Sequence, residues 1–182
     1  GILNMSTGGD VDVFVSKMDS TGSLSWAKQI VESSFDEDAL SITLDKTGDV
    51  YIAGVFSGTA DFDPSAGKTL IASKGGADIF ILKLYKTSGV FYWAKTIGNA
   101  NDEQFEHMAI DIADNIYITG GYTGTVDFDP GINVFNLTAA SDDVFILKLN
   151  SAGSLLWAAD FGGTSTEYGL DIVGDGSNNV YT

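Results

Sequence analysis

The segment ADIFILKLYKTSGVFYWAKTI, residues 77–97, contains two short apolar runs separated by a Lys-Thr-Ser-Gly turn. The runs are rich in Ile, Phe, Tyr and Trp, and the break between them holds serine and glycine, which is typical of a β-hairpin. Both runs are too short for helices. Because the first run is apolar at almost every position, we expect its strand to be covered on both faces.

This hairpin recurs along the chain at a fixed period. The residues that mark the repeat are Phe14, Phe80 and Phe145, then Trp26, Trp93 and Trp157, then Tyr51, Tyr117 and Tyr181. Within each set, neighbouring residues are 64 to 67 positions apart. Three independent markers therefore agree on a period of about 65 residues, and internal repetition governs the fold.

Each repeat predicts four strands. In residues 39–97 they are ALSITLD, DVYIAGVFSGTADF, ADIFILKLY and GVFYWAKTI. Gly, Asp and Asn lie in the short connections, so we expect tight hairpins with one left-handed residue each. Four-stranded antiparallel sheets that stack face to face around an axis form a β-propeller. The predicted fold is all-β, built of such blades, and we expect the tryptophans to act as wedges between them.

The repeat also predicts the domain organisation. We expect one propeller segment over residues 1–182, divided into 1–38 (the second half of a blade), 39–103, 104–166 and 167–182 (the start of a blade). Propellers commonly need 4 to 8 blades to close. Three units are too few, so we expect the chain to belong to a longer polypeptide; the alternative is completion by several chains.

Composition limits the partners. The chain has 9 basic and 25 acidic residues, a formal charge of −16, which disfavours nucleic acid and anionic membranes. No apolar run approaches the roughly 18 residues of a membrane span, so we expect no membrane insertion. Cysteine is absent, which excludes disulfides, thiolate zinc sites and cysteine nucleophiles.

The motifs D-x-F-x-x-K, G-x-x-x-W-A-K, D-x-x-G-x-x-Y-I-x-G and D-F-D-P-G resemble the bacterial β-propeller repeat family labelled SBBP. The resemblance covers essentially the whole chain. It implies a secreted or cell-surface bacterial protein, and it supplies no shared catalytic motif. The D-x-x-G-x-x-x-W turn also resembles that of quinoprotein propellers, but only Asp19 keeps the acid, and the period is long for that family.

Acidic residues lie in two kinds of loop that strand alternation places on one face. Asp-Phe-Asp-Pro occurs twice, at 61–64 and 127–130, and holds both prolines of the chain. One interpretation is a Ca²⁺ site, because Ca²⁺ prefers carboxylate and carbonyl oxygens from loops. Its candidate ligands are Asp61, Asp63, Asp127 and Asp129, with Asp36, Asp38 and Asp102 as weaker candidates. The other interpretation, which we favour, is that the aspartates cap backbone amides while Phe62 and Phe128 are buried.

Catalysis has little support in the sequence. His107 is the only histidine and has no counterpart in the other repeats, so we expect a packed or rim residue, and we assign no catalytic or organic-cofactor residue. The leading hypothesis is a non-enzymatic extracellular scaffold, adhesion or ligand-binding module that binds protein or glycan at its loop face. The alternative is a structural subunit that assembles through blade edges into a ring or filament. A carboxylate-dependent glycan-active enzyme or a quinoprotein is the third hypothesis.

Overall fold

The computed structural model describes residues 13–30, 37–65, 67–175, 177 and 179–182, and this part of the chain is built of strands and turns. The strands are β1 (Val13–Met18), β2 (Leu24–Ile30), β3 (Glu37–Leu44), β4 (Val50–Phe56), β5 (Thr59–Asp61), β6 (Leu70–Ala72), β7 (Asp78–Leu84), β8 (Phe91–Ile97), β9 (Gln104–Ile110), β10 (Ile116–Asp127), β11 (Asn136–Leu149), β12 (Leu155–Phe161), β13 (Val173–Gly174) and β14 (Val180–Tyr181). Among the described residues, no helix is long and apolar enough to cross a membrane.

Two sheets contain four antiparallel strands each, in the orders β3-β4-β7-β8 and β9-β10-β11-β12. We refer to them as the second and third blades. The β1-β2 hairpin holds the third and fourth strand positions of the first blade, and β13-β14 holds the first and second positions of the last unit. The prediction of all-β blades with four antiparallel strands is confirmed.

The blades stack face to face. Strand β9 of the third blade contacts β3, β4 and β7 of the second blade. Every residue of β7 is buried, as its continuous apolar sequence predicted. Ile79 and Ile81 belong to a core cluster shared with the third blade, whereas Phe80 and Leu82 belong to a cluster shared with β1. Alternate side chains of β7 therefore pack into two successive blade junctions.

Two tryptophans act as wedges between blades. The ring of Trp26 on β2 lies against Gly89 in the second blade, where an added Cβ would be 2.9 Å from the indole. Trp93 lies in the same way against Gly153 in the third blade, at 3.3 Å. Both glycines have positive φ, +63° and +74°, in the turn between the third and fourth strands. The predicted wedge and the predicted left-handed turn residue are confirmed at these two junctions.

A lysine on the third strand of each blade lies against the aspartate of the turn between the first and second strands. Lys83 Nζ on β7 lies 3.0 Å from Asp45 Oδ2 and 4.8 Å from the centre of the Tyr51 ring. Burial alone would raise the pKa of Asp45, but hydrogen bonds from Thr47 and Lys83 lower it below its ordinary value. In the third blade, Lys148 Nζ lies 4.7 Å from the centre of the Tyr117 ring. The Asp, Tyr and Lys of the repeat motifs therefore form one structural network.

The second strand differs from its prediction, which ran to Phe62. Strand β4 ends at Phe56, and the chain bends at Gly58, which has φ +72°. A short hairpin of β5 and β6 follows before β7. In the third blade, Gly124 has the same φ and marks a register shift within the β10-β11 pair. We call residues 57–73 the first arm and residues 123–139 the second arm; both extend the second and third strands of their blade.

Candidate functional site

Each arm is anchored to its own blade by one phenylalanine. Phe62 is fully buried, and its ring centre lies 5.1 Å from that of Phe56 and 5.3 Å from that of Phe80. Phe128 is also fully buried and makes the equivalent contacts with Tyr122 and Phe145, at 5.2 and 4.9 Å. These edge-on and tilted ring pairs hold each arm against the core. The predicted burial of Phe62 and Phe128 is confirmed.

The aspartates of the first arm cap main-chain amides. Asp61 Oδ1 accepts hydrogen bonds from the amides of Asp63 (3.1 Å) and Thr69 (2.8 Å). Asp63 Oδ1 accepts from the amide of Ser65 at 2.9 Å. Asp61 therefore closes the tip of the arm across its two sides, in the way that short acidic side chains stabilise turns.

The second arm repeats this geometry. Asp127 Oδ1 accepts from the amides of Asp129 (3.1 Å) and Phe135 (2.8 Å), and Asp129 Oδ1 accepts from the amide of Gly131 (2.7 Å). The two arms thus share one cap design, and the interpretation of these aspartates as amide caps is confirmed.

The exposed side chains at the two tips differ. In the second arm Ile132 is 100% exposed, Val134 is 70% exposed and Phe135 is 38% exposed. The first arm has Lys68 at the position that matches Val134, and Ala66, which matches Ile132, lies outside the described residues. The same capped hairpin therefore presents a different surface in each blade.

The loop between the second and third blades, residues 98–103, connects the two arms. Asn99 Nδ2 donates to the main-chain oxygens of Thr123 (2.8 Å) and Thr125 (3.1 Å) at the start of the second arm. Asp102 Oδ1 accepts from the amide of Ala77, which follows the first arm, at 2.9 Å. The inter-blade loop and the arms therefore lie on one face, as strand alternation predicted.

The structure places the predicted Ca²⁺ ligands in separate groups. Asp61 and Asp63 lie in the first arm, Asp127 and Asp129 in the second arm, Asp102 in the inter-blade loop, and Asp38 is exposed on β3; Asp36 lies outside the described residues. Within the described ranges, no three His, Cys, Asp or Glu side chains form a group that could hold a metal ion. Calcium binding by these residues stays a prediction.

A second set of acids lies beneath this face. Asp78, at the start of β7, and Glu103, before β9, are 1% and 2% exposed. A Cβ on Gly98 would overlap the Asp78 carboxylate and would lie 2.6 Å from Glu103 Oε2, so both carboxylates border one glycine. Burial raises the pKa of Asp78 and raises the pKa of Glu103 to about 7.

The pairing of Asp78 with Glu103 was not predicted from the sequence. The signal was present, because the Asp that precedes each repeat-marking Phe by two positions recurs with the period of the blades. A Glu likewise recurs at or shortly before the first strand of each unit. The full set in the sequence is Asp12, Asp78 and Asp143 with Glu37, Glu103 and Glu167.

His107 lies on β9 at the junction with the last unit. Its Nδ1 is 2.8 Å from Asp171 Oδ1 and 3.3 Å from the main-chain oxygen of Ile172. The side chain is 43% exposed. A cleft of about 680 Å³ lies near this junction, lined mainly by Val144 and residues 161–163 and 167–171. His107 is thus a half-exposed residue of the innermost strand that contacts the next unit.

Comparison with known proteins gives one informative similarity. No family model matches the chain. The chain is 28% identical over 187 aligned residues to an uncharacterized WD repeat-containing protein of Acanthamoeba polyphaga mimivirus. The alignment covers 94% of this chain but only 13% of that relative. Together with the four-stranded blades, it supports a β-propeller-type repeat, and it gives no specific support for the SBBP family.

The arms explain how this repeat differs from a WD repeat in length. A WD repeat has about 40–45 residues and four strands, whereas the markers here recur every 64 to 67 residues. Residues 57–73 and 123–139 lie between the second and third strands of their blades and supply most of the difference. The arms are therefore the part of the repeat that a minimal blade does not need.

Proposed function

We propose that this chain is a non-enzymatic β-propeller module that binds a protein partner through the tips of its arms. The similarity to a WD repeat protein supports this proposal, since WD repeat propellers commonly bind protein partners. The observation that carries it is the second arm: a hairpin fixed by Phe128 and Asp127 that exposes Ile132 completely. A rigid hairpin with exposed apolar side chains has the features of a recognition loop.

The chemistry of the second arm defines the partner. Ile132 and Val134 form an exposed apolar patch, and Asp127 and Asp129 lie beside them in a chain of net charge −16. Interfaces join an apolar centre to a polar rim of complementary charge. We therefore propose a partner surface with an apolar pocket and basic groups at its edge.

The repeated acids support a role in shape rather than catalysis. Asp61 and Asp127 make the same two main-chain hydrogen bonds at the same distances. A catalytic pair would break the symmetry of the repeat, whereas a cap repeats with the blade that it closes. This agrees with the non-enzymatic function proposed here.

The test compares two exposed isoleucines on opposite faces. Ile132 lies at the tip of the second arm, and Ile112, 75% exposed, lies in the turn between β9 and β10. Immobilised wild type, I132S/V134S and I112S chains are compared by quantitative mass spectrometry of captured proteins. We expect a partner that wild type and I112S retain and that I132S/V134S loses at least tenfold. Equal retention by all three chains would contradict the proposal.

The cellular location of this module is a further part of the proposal. We propose a secreted or cell-surface protein of a bacterium, supported by the resemblance of the repeat motifs to the SBBP family, with a glycan as the alternative ligand of the loop face. Fractionation of the source cells with an antibody to the chain tests the location, and a signal confined to the cytoplasm would overturn it. Glycan-array binding that I132S/V134S removes would identify a glycan rather than a protein.

Calcium at the arms has a separate test. Each capping aspartate uses Oδ1 for amides, which leaves Oδ2 as the atom that would coordinate a cation. Differential scanning calorimetry of D61N/D127N and wild type, with Ca²⁺ and with chelator, measures this contribution. A calcium-dependent rise in Tm that D61N/D127N loses supports the arm site, because a ligand of the folded state stabilises it. An unchanged Tm in wild type excludes it.

A second candidate function is self-assembly. On β3, Leu40, Ile42 and Leu44 are 54–60% exposed, whereas Met108, which matches Ile42 in the third blade, is buried against the second blade. This apolar row therefore lies on the face that a preceding blade covers, and we propose that a second copy can cover it. Sedimentation velocity of wild type and Ile42→Glu tests this: we expect multimers that the variant dissociates, and a monomeric wild type at high concentration would contradict it.

A further inference from the structure

Two successive blade junctions contain a similar pair of acidic side chains. Asp78 and Glu103 border Gly98 at the junction of the second and third blades. At the next junction Asp143, 7% exposed, overlaps the Cβ position of Gly162, and the amide of Glu167 donates to the oxygen of Asp142 at 2.9 Å. Asp143 and Glu167 therefore occupy the positions at this junction that Asp78 and Glu103 occupy at the previous one.

Each carboxylate of the first pair is only half satisfied. Asp78 Oδ2 accepts from the amide of Lys74 at 3.0 Å, and Glu103 Oε2 accepts from the amide of Asn99 at 2.9 Å. The other two oxygens, Asp78 Oδ1 and Glu103 Oε1, are buried and have no hydrogen-bond partner among the described residues. The same holds for Glu167 Oε2 at the next junction. A buried carboxylate oxygen without a partner is costly, so these atoms require a ligand.

No basic side chain among the described residues forms an ion pair with Asp78 or Glu103. The ion pairs formed by the described residues involve Asp45, Asp49, Asp111, Asp114 and Asp171, and none of them includes Asp78 or Glu103. Lys74, the nearest contributor of positive charge, is exposed. Two buried negative charges that share one space demand either a proton or a cation between them.

We propose that each junction binds a hard divalent cation, with Ca²⁺ as the best fit, through Asp78 Oδ1 and Glu103 Oε1 and, one blade later, through Glu167 Oε2 and the carboxylate of Asp143, whose Oδ1 also accepts a hydrogen bond from Ser141 Oγ at 3.3 Å. Two carboxylates with backbone carbonyls and water satisfy the flexible oxygen coordination of Ca²⁺. The site is distinct from the capping aspartates of the arms. It goes beyond the proposed function, because it fastens successive blades whatever the arms bind.

The repeat explains why a cation fits better than a proton. A proton would neutralise one carboxylate of each pair and leave the other charged in a chain of net charge −16. A divalent cation neutralises both carboxylates and joins residues from two blades. Because cation binding requires deprotonated ligands, binding is best measured above neutral pH, at pH 8.

The experiment is calorimetric titration of the full 182-residue chain with Ca²⁺ at pH 8 after treatment with chelator. The variants are D78N/E103Q, D143N/E167Q and, as the matched control, D61N/D127N. We expect wild type to bind at least two Ca²⁺ per chain and each junction variant to lose one of them. We expect the control to keep the junction ions and their affinity.

Several results would overturn the proposal. They are no saturable binding by wild type, stoichiometry unchanged in both junction variants, or binding that only D61N/D127N removes. If a junction variant does not fold, as judged by circular dichroism, the wild-type titration still decides, because a chain without saturable Ca²⁺ binding at pH 8 has no such site. Junctions stabilised by lowering the pH but not by Ca²⁺ would show that a shared proton occupies the pair.

Discussion

The indole nitrogen of Trp26 donates a hydrogen bond of 3.2 Å to the main-chain oxygen of Lys86, across the junction between the first and second blades. The same ring packs on Gly89, so one side chain supplies both the polar and the apolar contact of the wedge. Trp157 holds the same position in the third blade and is 36% exposed. Trp26 packs on the glycine turn of the next blade, whereas Trp157 is exposed. This difference between equivalent residues gives a matched test of the wedge.

Trp26→Ala should lower the free energy of unfolding by about 2–3 kcal/mol, below the roughly 3–5 kcal/mol of a fully buried ring, because the indole is only partly covered. Trp26→Phe should keep most of the packing and lose about 1 kcal/mol for the hydrogen bond. Urea unfolding followed by circular dichroism measures both. Trp157→Ala is the control, and a loss there as large as in Trp26→Ala would contradict the wedge.

Phe62 should control the attachment of the first arm. Phe62→Ala removes a fully buried ring that contacts Phe56 and Phe80, so we expect a loss of about 3–4 kcal/mol. Limited proteolysis should then cleave residues 57–73 before the rest of the chain. Leu70, 60% exposed in the same arm, is the control, and Leu70→Ala should change stability by less than about 0.5 kcal/mol. An arm that stays resistant to protease in Phe62→Ala would show that the ring is not its anchor.

The tight space around the buried carboxylates predicts unequal effects of two adjacent glycines. A Cβ on Gly162 would overlap the carboxylate of Asp143, whereas a Cβ on Gly163 would meet nothing within 4 Å. Gly162→Ala should therefore cost about 1–3 kcal/mol, as overpacking does, and Gly163→Ala should be nearly neutral. Thermal unfolding of the two variants side by side checks this. Equal melting temperatures would mean that the Asp143 side chain moves aside freely.

Asp45 should make stability depend on acid pH. Its pKa in the folded state lies below the ordinary value of 3.8, so the folded chain binds fewer protons than the unfolded chain in this range. The stability from Asp45 is thus complete above pH 3.8 and is lost as the pH falls through the lower folded value. Asp45→Asn should cost about 3 kcal/mol at neutral pH, since the buried Lys83 loses its nearer carboxylate and keeps only Asp49, at 3.8 Å, and should flatten the decline below pH 4.

Urea unfolding between pH 2.5 and pH 6 measures this dependence. Asp38→Asn is the control, because that side chain is exposed on β3 and is not paired with a buried lysine. Wild type and Asp45→Asn curves that stay parallel throughout would contradict the role of the Asp45–Lys83 pair.

The blades could be predicted from sequence because their core residues recur with the repeat. The residues that pack between blades include Phe80, Trp93 and Tyr51. Because each unit needs this packing, an aromatic residue recurs at the same position in every unit. The turns followed from glycine positions such as Gly89, whose φ excludes most other residues. Periodic packing and backbone conformation are the two physical constraints that a single sequence records directly.

The hairpin of β5 and β6 was harder to predict from the sequence. Strand β6 is three residues long with an exposed, intermediate, exposed pattern, which is too short for a periodic signal. The pairing of Asp78 with Glu103 was also hidden, because it depends on how two blades stack rather than on spacing along the chain. Both residues recur with the repeat, yet only the stacked structure shows that they share one buried space.

Successive blades are joined by a tryptophan packed on the glycine turn of the next blade. Proton NOE measurement on the folded chain tests it most directly, because NOEs report contacts closer than about 5 Å. We expect NOEs from the Trp26 ring to the α protons of Gly89 and from the Trp93 ring to the α protons of Gly153. Rings that show NOEs only to residues of their own sheet would contradict it.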